Sequence, residues 1–172
     1  MTKTHFTIAL AALTLFLSTP VHAKHPKEVL KPSLPVTAPL APEDRQHLLN
    51  DSFTVVKTVH EIPAPVYALL FQHVSNDLDG MADPGEKWQE GDVVGPKMLP
   101  FRRLILAANS AGYSVIYDEH GGFGYYQQVS LYRLTKGLAK LVWQATVDTG
   151  SRTLTFEQLR ALIRSGKYHA LK

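Results

Sequence analysis

Apolar and β-branched residues alternate with polar residues through much of the second half of the chain, a pattern typical of β-strands. The stretches NSAG, EHGGFG and TKG interrupt it and are short and rich in turn residues, so they should join neighbouring strands as antiparallel hairpins. An earlier alternating stretch, FTVVKTV, begins at residue 53 and predicts one further strand. The four main strands are predicted over residues 102–108, 113–118, 125–134 and 140–147.

Helical spacing of apolar residues occurs in two stretches. VYALLFQHV follows Pro65, which suits the first turn of a helix, and TFEQLRALIRSGKYH begins with a Thr155/Gln158 capping box. The shorter APEDRQHLLN can form one or two helical turns. We therefore predict a single α+β domain over residues 46–172. It contains a four- to five-stranded antiparallel sheet in meander order, one helix before the sheet, and a C-terminal helix packed on one face.

The N-terminal residues have the composition of a targeting segment. Residues 1–23 contain Lys3, an apolar run and the small-residue ending Val-His-Ala, which is typical of a secretory signal peptide. The apolar run from Phe6 to Leu17 is too short to cross a membrane, which takes about 20 residues. Residues 24–45 are rich in proline, and we interpret them as a tether. We expect an exported chain that is soluble in the periplasm or outside the cell after cleavage near Ala23, without a transmembrane segment.

Composition excludes several kinds of function. The chain has no cysteine, so disulfides, thiol nucleophiles and thiolate metal sites are absent. It carries 18 Lys and Arg against 15 Asp and Glu, a formal charge of +3, which falls to +2 when Lys3 is removed with the signal peptide. This balance does not favour nucleic acid as a partner.

Three ionisable residues, Asp118, Glu119 and His120, precede the glycine-rich stretch GGFG at residues 121–124. Glycine adopts positive φ angles without steric cost, so this composition favours a hairpin tip between two strands. The alternative is a small secreted hydrolase that uses Glu119 or Asp118 together with His120. The G-x-S-x-G motif of α/β-hydrolases is absent, and no catalytic residue is assigned.

Tyrosine and glutamine side chains alternate along the strands on either side of this tip. An open surface of this kind suits protein recognition, because tyrosine combines a broad apolar ring with a polar group. The alternative is that the final helix covers part of the surface. The candidate binding residues are Tyr113, Tyr117, His120, Tyr126, Gln128 and Tyr132.

The stretch SNDLDGMADPGE has the spacing of a calcium-binding loop, with acidic residues at four of its ligand positions. Ser75 occupies the first position, where aspartate is expected, and Pro84 lies inside the loop. We therefore interpret the stretch as a solvated acidic loop and expect no cofactor, with calcium as the alternative. The calcium candidates are Asp77, Asp79, Asp83 and Glu86.

The stretch FTVVKTVHEIPAPVYALL, residues 53–70, resembles the opening of START-like (helix-grip) domains, in which a strand is followed by Ala-Pro and an apolar helix. Domains of that family enclose hydrophobic ligands. In this chain Val66 and Tyr67 directly follow Pro65, whereas the family pattern places them further on. The resemblance therefore assigns no ligand and no residue role here.

Together these patterns favour an exported, non-enzymatic binding or inhibitory module that uses the tyrosine-rich sheet surface and the loop around His120. The first alternative is a binder of small hydrophobic ligands with a cavity between the sheet and the C-terminal helix. The second is the small hydrolase described above. The partner is accordingly a protein or a small molecule.

The signal-peptide pattern of residues 1–23 leads to the first testable prediction. Mass spectrometry of the exported protein should identify Lys24 as its first residue, because the apolar run and the Val-His-Ala ending match what a signal peptidase recognises. An intact Met1 terminus on membrane-bound protein would contradict this expectation.

Overall fold

The computed structural model describes residues 39–71, 80–92, 99–150 and 152–170. The helices are α1 (Pro42–Asn50), α2 (Ala64–Leu70) and α3 (Phe156–Arg164), with a 3-10 turn at Val59–Glu61. The strands are β1 (Thr54–Val56), β2 (Met81–Ala82), β3 (Arg102–Asn109), β4 (Tyr113–His120), β5 (Tyr126–Thr135), β6 (Leu138–Val147) and β7 (His169–Ala170). None of the helices in these parts of the chain combines the length and apolar character needed to span a membrane.

The strands form one sheet in the order β1-β3-β4-β5-β6-β7, and β2 pairs in parallel with β3. All neighbours along the main order are antiparallel. Strands β3 to β6 are consecutive both in the chain and in space, because each connecting turn is too short for a crossover. The predicted α+β meander is confirmed. The strand predicted from residue 53 is shorter than expected and gives way to the 3-10 turn.

Helices cover both faces of the sheet. On one side, which we call the α3 face, α1 and α3 pack on apolar side chains that include Tyr117, Leu131 and Trp143. On the other, the α2 face, α2 and the 3-10 turn pack on a smaller cluster that includes Ile116 and Tyr132. The sequence predicts the C-terminal helix on one face, and the structure adds α2 on the opposite face.

The start of α3 is fixed by the local capping box that the sequence predicts, whereas α1 is fixed by contacts with distant residues. The N-cap Thr155 accepts a hydrogen bond from the Gln158 backbone N–H at 3.3 Å, and the Gln158 side chain accepts one from the Thr155 N–H at 2.9 Å. Helix α1 begins at Pro42, so residues 42–45 of the predicted tether belong to its first turn. The buried Asp44 carboxylate then fixes α1 to the sheet by accepting hydrogen bonds from Tyr113 at 2.9 Å and Arg133 at 2.7 Å.

A β-bulge at Ile105 changes which side chains of β3 face each side of the sheet. Leu104 pairs with Asp118 and Leu106 pairs with Tyr117, so Ile105 has no partner on β4. Strict alternation would place Leu104 and Leu106 on the same face. The extra residue instead places Leu104 in the α2-face cluster and Leu106 in the α3-face cluster. The bulge therefore lets one strand supply leucine to both cores.

The glycines of the β4–β5 loop differ in what constrains them. Gly122 alone among the three has a positive φ, at +93°. A Cβ added to Gly121 would lie 2.6 Å from the backbone oxygen of Glu90 and closer still to that of Gln89, whereas a Cβ on Gly124 would meet no atom within 4 Å. Gly121 is needed because two backbone segments approach each other there, and Gly122 because of its conformation.

Alanine substitutions should separate these constraints. Gly121→Ala should lower the free energy of unfolding by about 2 kcal/mol or more, because the backbone must move to admit the Cβ. Gly122→Ala should lower it by about 1 kcal/mol through the disfavoured φ. Gly124→Ala is the matched control and should stay within about 0.5 kcal/mol of the parent in denaturant titrations. An equal loss in all three variants would contradict this ranking.

Candidate functional site

The ionisable residues that precede the glycine loop belong to the end of β4, which extends to His120. Successive side chains of a strand point to opposite faces. Asp118 and His120 therefore lie on the α2 face with Ile116, while Glu119 lies on the α3 face with Tyr117. The three residues form two separate clusters.

On the α2 face, Asp118 is fully buried and lies against Arg102 and His120. Its Oδ2 accepts hydrogen bonds from Arg102 Nε at 2.9 Å and Nη2 at 2.7 Å. His120 Nε2 lies 2.9 Å from the same oxygen, at ion-pair distance but without hydrogen-bond geometry. Burial alone would raise the pKa of Asp118, but Arg102 and His120 outweigh it and hold that pKa below its usual value. Asp118 is therefore an ionised structural partner of Arg102.

On the α3 face, Glu119 begins a chain of hydrogen bonds that runs across the hairpin. It accepts from Arg103 Nε at 2.6 Å and from the Tyr125 hydroxyl at 2.9 Å. Tyr125 in turn accepts from Gln127 Nε2 at 2.8 Å, and Gln127 Oε1 accepts from the Tyr117 hydroxyl. Burial raises the pKa of Tyr117 to about 12, so its hydroxyl remains a donor at neutral pH.

These positions bear on the residues considered for a hydrolase. Glu119 and His120 point to opposite faces and do not converge. Asp118 and His120 do come together, but the Asp118 carboxylate is enclosed and held by Arg102. This arrangement is suited to holding the end of β4 against the start of β3. It is less suited to proton transfer, because the Asp118 carboxylate is not accessible to solvent.

The six candidate binding residues are divided between the two faces. Tyr113 and Tyr117 are buried on the α3 face, where Tyr113 stacks on His47 at a ring distance of 4.9 Å. Tyr132 is buried on the α2 face, where burial raises its pKa to about 12. The α2 face also carries His120, Tyr126 and Gln128. Of these, Tyr126 is 41% exposed.

Exposed aromatic side chains gather instead at the β4–β5 hairpin. Phe123 is fully exposed in the loop, and Tyr125 and Tyr126 are 38% and 41% exposed. The half-buried Trp88 lies beside Tyr125, with ring centroids 6.3 Å apart. We call these four residues the aromatic tip, in which Tyr125 contacts Glu119 of the α3 face and Tyr126 stacks on His120 of the α2 face. It joins residues from the hairpin and from the separate segment 80–92.

The backbone beneath the aromatic tip is tied to its neighbours. Gly121 N–H donates to Phe101 O at 2.9 Å and Gly122 N–H donates to Glu90 O at 3.2 Å. The Tyr126 ring stacks on His120 with centroids 4.5 Å apart, and the Arg103 guanidinium lies 4.9 Å from the Trp88 ring centre. The tip is therefore presented on a braced loop.

Four residues of the site were not predicted from the sequence: Phe123, Trp88, Arg102 and Arg103. For Phe123 a signal was present, because a large apolar residue between glycines stands where a hairpin tip usually carries polar residues. The sequence around Arg102 and Arg103 gave no comparable indication that they belong to the site. Their roles depend on the register that places Arg103 opposite Glu119 and Arg102 opposite His120.

Two of the calcium candidates lie within the described residues. Asp83 Oδ1 accepts a hydrogen bond from Val59 N–H at 2.6 Å, and Glu86 Oε2 accepts one from Asp83 N–H at 2.9 Å. Asp77 and Asp79 lie outside the described residues. Within residues 39–71, 80–92, 99–150 and 152–170, no group of three His, Asp or Glu side chains is placed to hold a metal ion.

Comparisons with protein-family models, with curated proteins and with solved structures give no match to this chain.

The Asp118 pair predicts a specific dependence of stability on pH. Because its pKa is lowered by folding, Asp118 stabilises the native state above its unfolded pKa of about 3.9, and that contribution is lost as pH falls through the lower folded value. Asp118→Asn should lower the free energy of unfolding at pH 7 by about 3 kcal/mol, because Arg102 is left without its partner. Denaturant titrations between pH 2 and 7 should also show a shallower acid dependence for the variant.

The pair Glu157–Arg160, at 3.1 Å, offers the matched control, because the Glu157 side chain is 77% exposed and Arg160 also donates to Asp51 O. Glu157→Gln should cost less than about 1 kcal/mol, since exposed ion pairs contribute little. Similar losses for Asp118→Asn and Glu157→Gln would contradict the structural role assigned to Asp118.

Proposed function

We propose that the protein is an exported, non-enzymatic binding module that recognises a protein partner through the aromatic tip. The observation that carries the proposal is the fully exposed Phe123 side chain at the end of a braced hairpin. The export component rests on the signal-peptide pattern of residues 1–23.

The chemistry of the tip supports protein recognition. Aromatic residues supply large contact areas with few rotatable bonds, and they are enriched among the residues that dominate binding energy. Phe123 contributes an apolar ring, while Tyr125 and Tyr126 combine ring surface with hydroxyl groups. A flat or concave partner surface with an apolar pocket would fit this combination.

The bracing of the tip supports the proposal independently. A loop that is already ordered loses less conformational entropy when it binds than a loose one. The hydrogen bonds of Gly121 and Gly122 and the stacking of Tyr126 on His120 supply that order before any partner arrives. An inhibitory role would follow if the tip enters the cleft of an enzyme.

A groove next to the tip provides a second contact area. It has a volume of about 350 Å³, and its walls include Tyr125, Tyr126, Asp148 and His169. A partner that buries Phe123 would therefore also meet this groove, where it could place a side chain of its own.

The hydrolase alternative has less support. Asp118 and Glu119 are each buried in ion pairs with an arginine, and Glu119 and His120 lie on opposite faces. Paired, enclosed carboxylates stabilise structure more readily than they take part in proton transfer.

Photo-crosslinking in cells that produce the protein can test the proposal. A photoreactive phenylalanine analogue at position 123 should give a discrete crosslinked protein, and the further change Tyr126→Ala should reduce its yield. Leu138 is the matched control position, because it is 74% exposed and begins β6, opposite Thr135 at the far end of β5. The same analogue at position 138 should not give that product.

Once the partner is identified, Phe123→Ala should weaken binding by about 2 kcal/mol, roughly thirtyfold, as expected for an aromatic anchor. Leu138→Ala should leave the affinity unchanged. Both variants should keep the parental free energy of unfolding, because both side chains are exposed. Equal crosslinking from positions 123 and 138, or an unchanged affinity for Phe123→Ala, would refute the role of the tip.

A further inference from the structure

A second concave site lies along the outer edge of β3, and Arg103 and Glu119 separate it from the Trp88 and Tyr125 side chains of the aromatic tip. Two adjoining cavities of about 440 and about 370 Å³ share Lys57, Ile105 and Thr153 as common walls. We call the combined depression the β3-edge groove. Each part falls within the volume range of small-molecule sites, which is about 300 to 1,000 Å³.

The groove exists because the edge of β3 is only partly covered. β1 pairs with residues 107–109 of β3, and β2 pairs with residues 102 and 103. Residues 104–106 have no strand partner on that side among the described residues, and they include the bulged Ile105. The bulge thus opens the sheet edge at the place where the two cavities meet.

One end of the groove is apolar and lies between the sheet edge and the start of α3. Phe53 and Phe156 stand together there, with ring centroids 5.2 Å apart. Val55 is 42% exposed, although it is a large apolar residue, and it lines the same end. Behind them lie the buried side chains of Leu106, Leu154 and Phe156, so the apolar surface open to a ligand is mainly that of Phe53 and Val55. This end can therefore bury hydrocarbon that would otherwise face water.

The charges around the groove leave a positive group unbalanced. Glu157 is paired with Arg160 at 3.1 Å, and Glu119 is paired with Arg103 at 2.6 Å. Lys57 is exposed and has no ion-pair partner among the described residues. Because the acidic side chains are already neutralised, the charge available to a ligand is that of the Lys57 ammonium.

We infer that the β3-edge groove binds a single amphipathic anion, namely a monomeric alkyl carboxylate. The alkyl chain lies against Phe53 and Val55, and the carboxylate lies at Lys57. A recessed site between a strand edge and a helix admits one chain, whereas a bilayer surface would need a protruding apolar face. This activity is separate from the proposed recognition of a protein by the aromatic tip.

Isothermal titration calorimetry with decanoate, kept below the concentration at which it forms micelles, tests the inference on the intact chain. The parent protein should bind one equivalent. Decanol, which has the same chain without the charge, should bind about fivefold more weakly, because an exposed ion pair contributes up to about that much. Added salt should reduce the difference between the two ligands.

Lys57→Glu should weaken decanoate binding by about tenfold, because an attraction is replaced by a repulsion. Lys140→Glu is the matched control, since Lys140 is also an exposed lysine but lies in β6 and does not line the groove. It should leave the affinity unchanged. Val55→Thr, which keeps the β-branched shape, should weaken decanoate and decanol to the same extent.

Absence of decanoate binding to the parent, or an equal affinity in Lys57→Glu and Lys140→Glu, would overturn the inference. Binding to vesicles of anionic phospholipid without binding to monomeric decanoate would also overturn it, because the occupant would then be a membrane surface. Circular dichroism of each variant separates lost binding from lost folding. Phe123→Ala should bind decanoate normally, so a failure of this site and a failure of the aromatic tip are distinguishable.

Discussion

The burial of β4 on both faces is the constraint on which the rest of the structure depends. Seven of its eight residues are buried, including Asp118 and Glu119. An unpaired buried carboxylate would cost several kcal/mol, so each must meet a cation. The neighbouring strand supplies two consecutive arginines, and alternation along both strands sends one ion pair to each face.

These two ion pairs determine the role of Asp118 and Glu119 at the end of β4. The two acidic residues form ion pairs with Arg102 and Arg103, and these pairs hold the end of β4 against the start of β3. The same bracing supports a loop that projects Phe123 into solvent and flanks it with Tyr125 and Tyr126. Rigidity beneath exposed aromatic surface is the combination that favours recognition of another protein.

The bulge at Ile105 has a comparable influence on the outer edge of β3. By moving Leu106 to the α3 face it lets β3 contribute to both cores, and it also interrupts the outer edge between β1 and β2. The bulge that lets β3 pack into both cores therefore also creates a groove at the sheet edge. Only Lys57 faces that groove with a charge that is not balanced by another described side chain.

The sequence by itself determined the strands of the meander, their hairpin turns and the capped start of α3, because these depend on side-chain alternation and on contacts within a few residues. Only the tertiary structure decided that Tyr113 and Tyr117 are buried while Phe123 is exposed, since the covering helices come from distant parts of the chain. It also decided the roles of Asp118 and Glu119. Their partners lie 16 residues away, and one position of register would exchange the two faces.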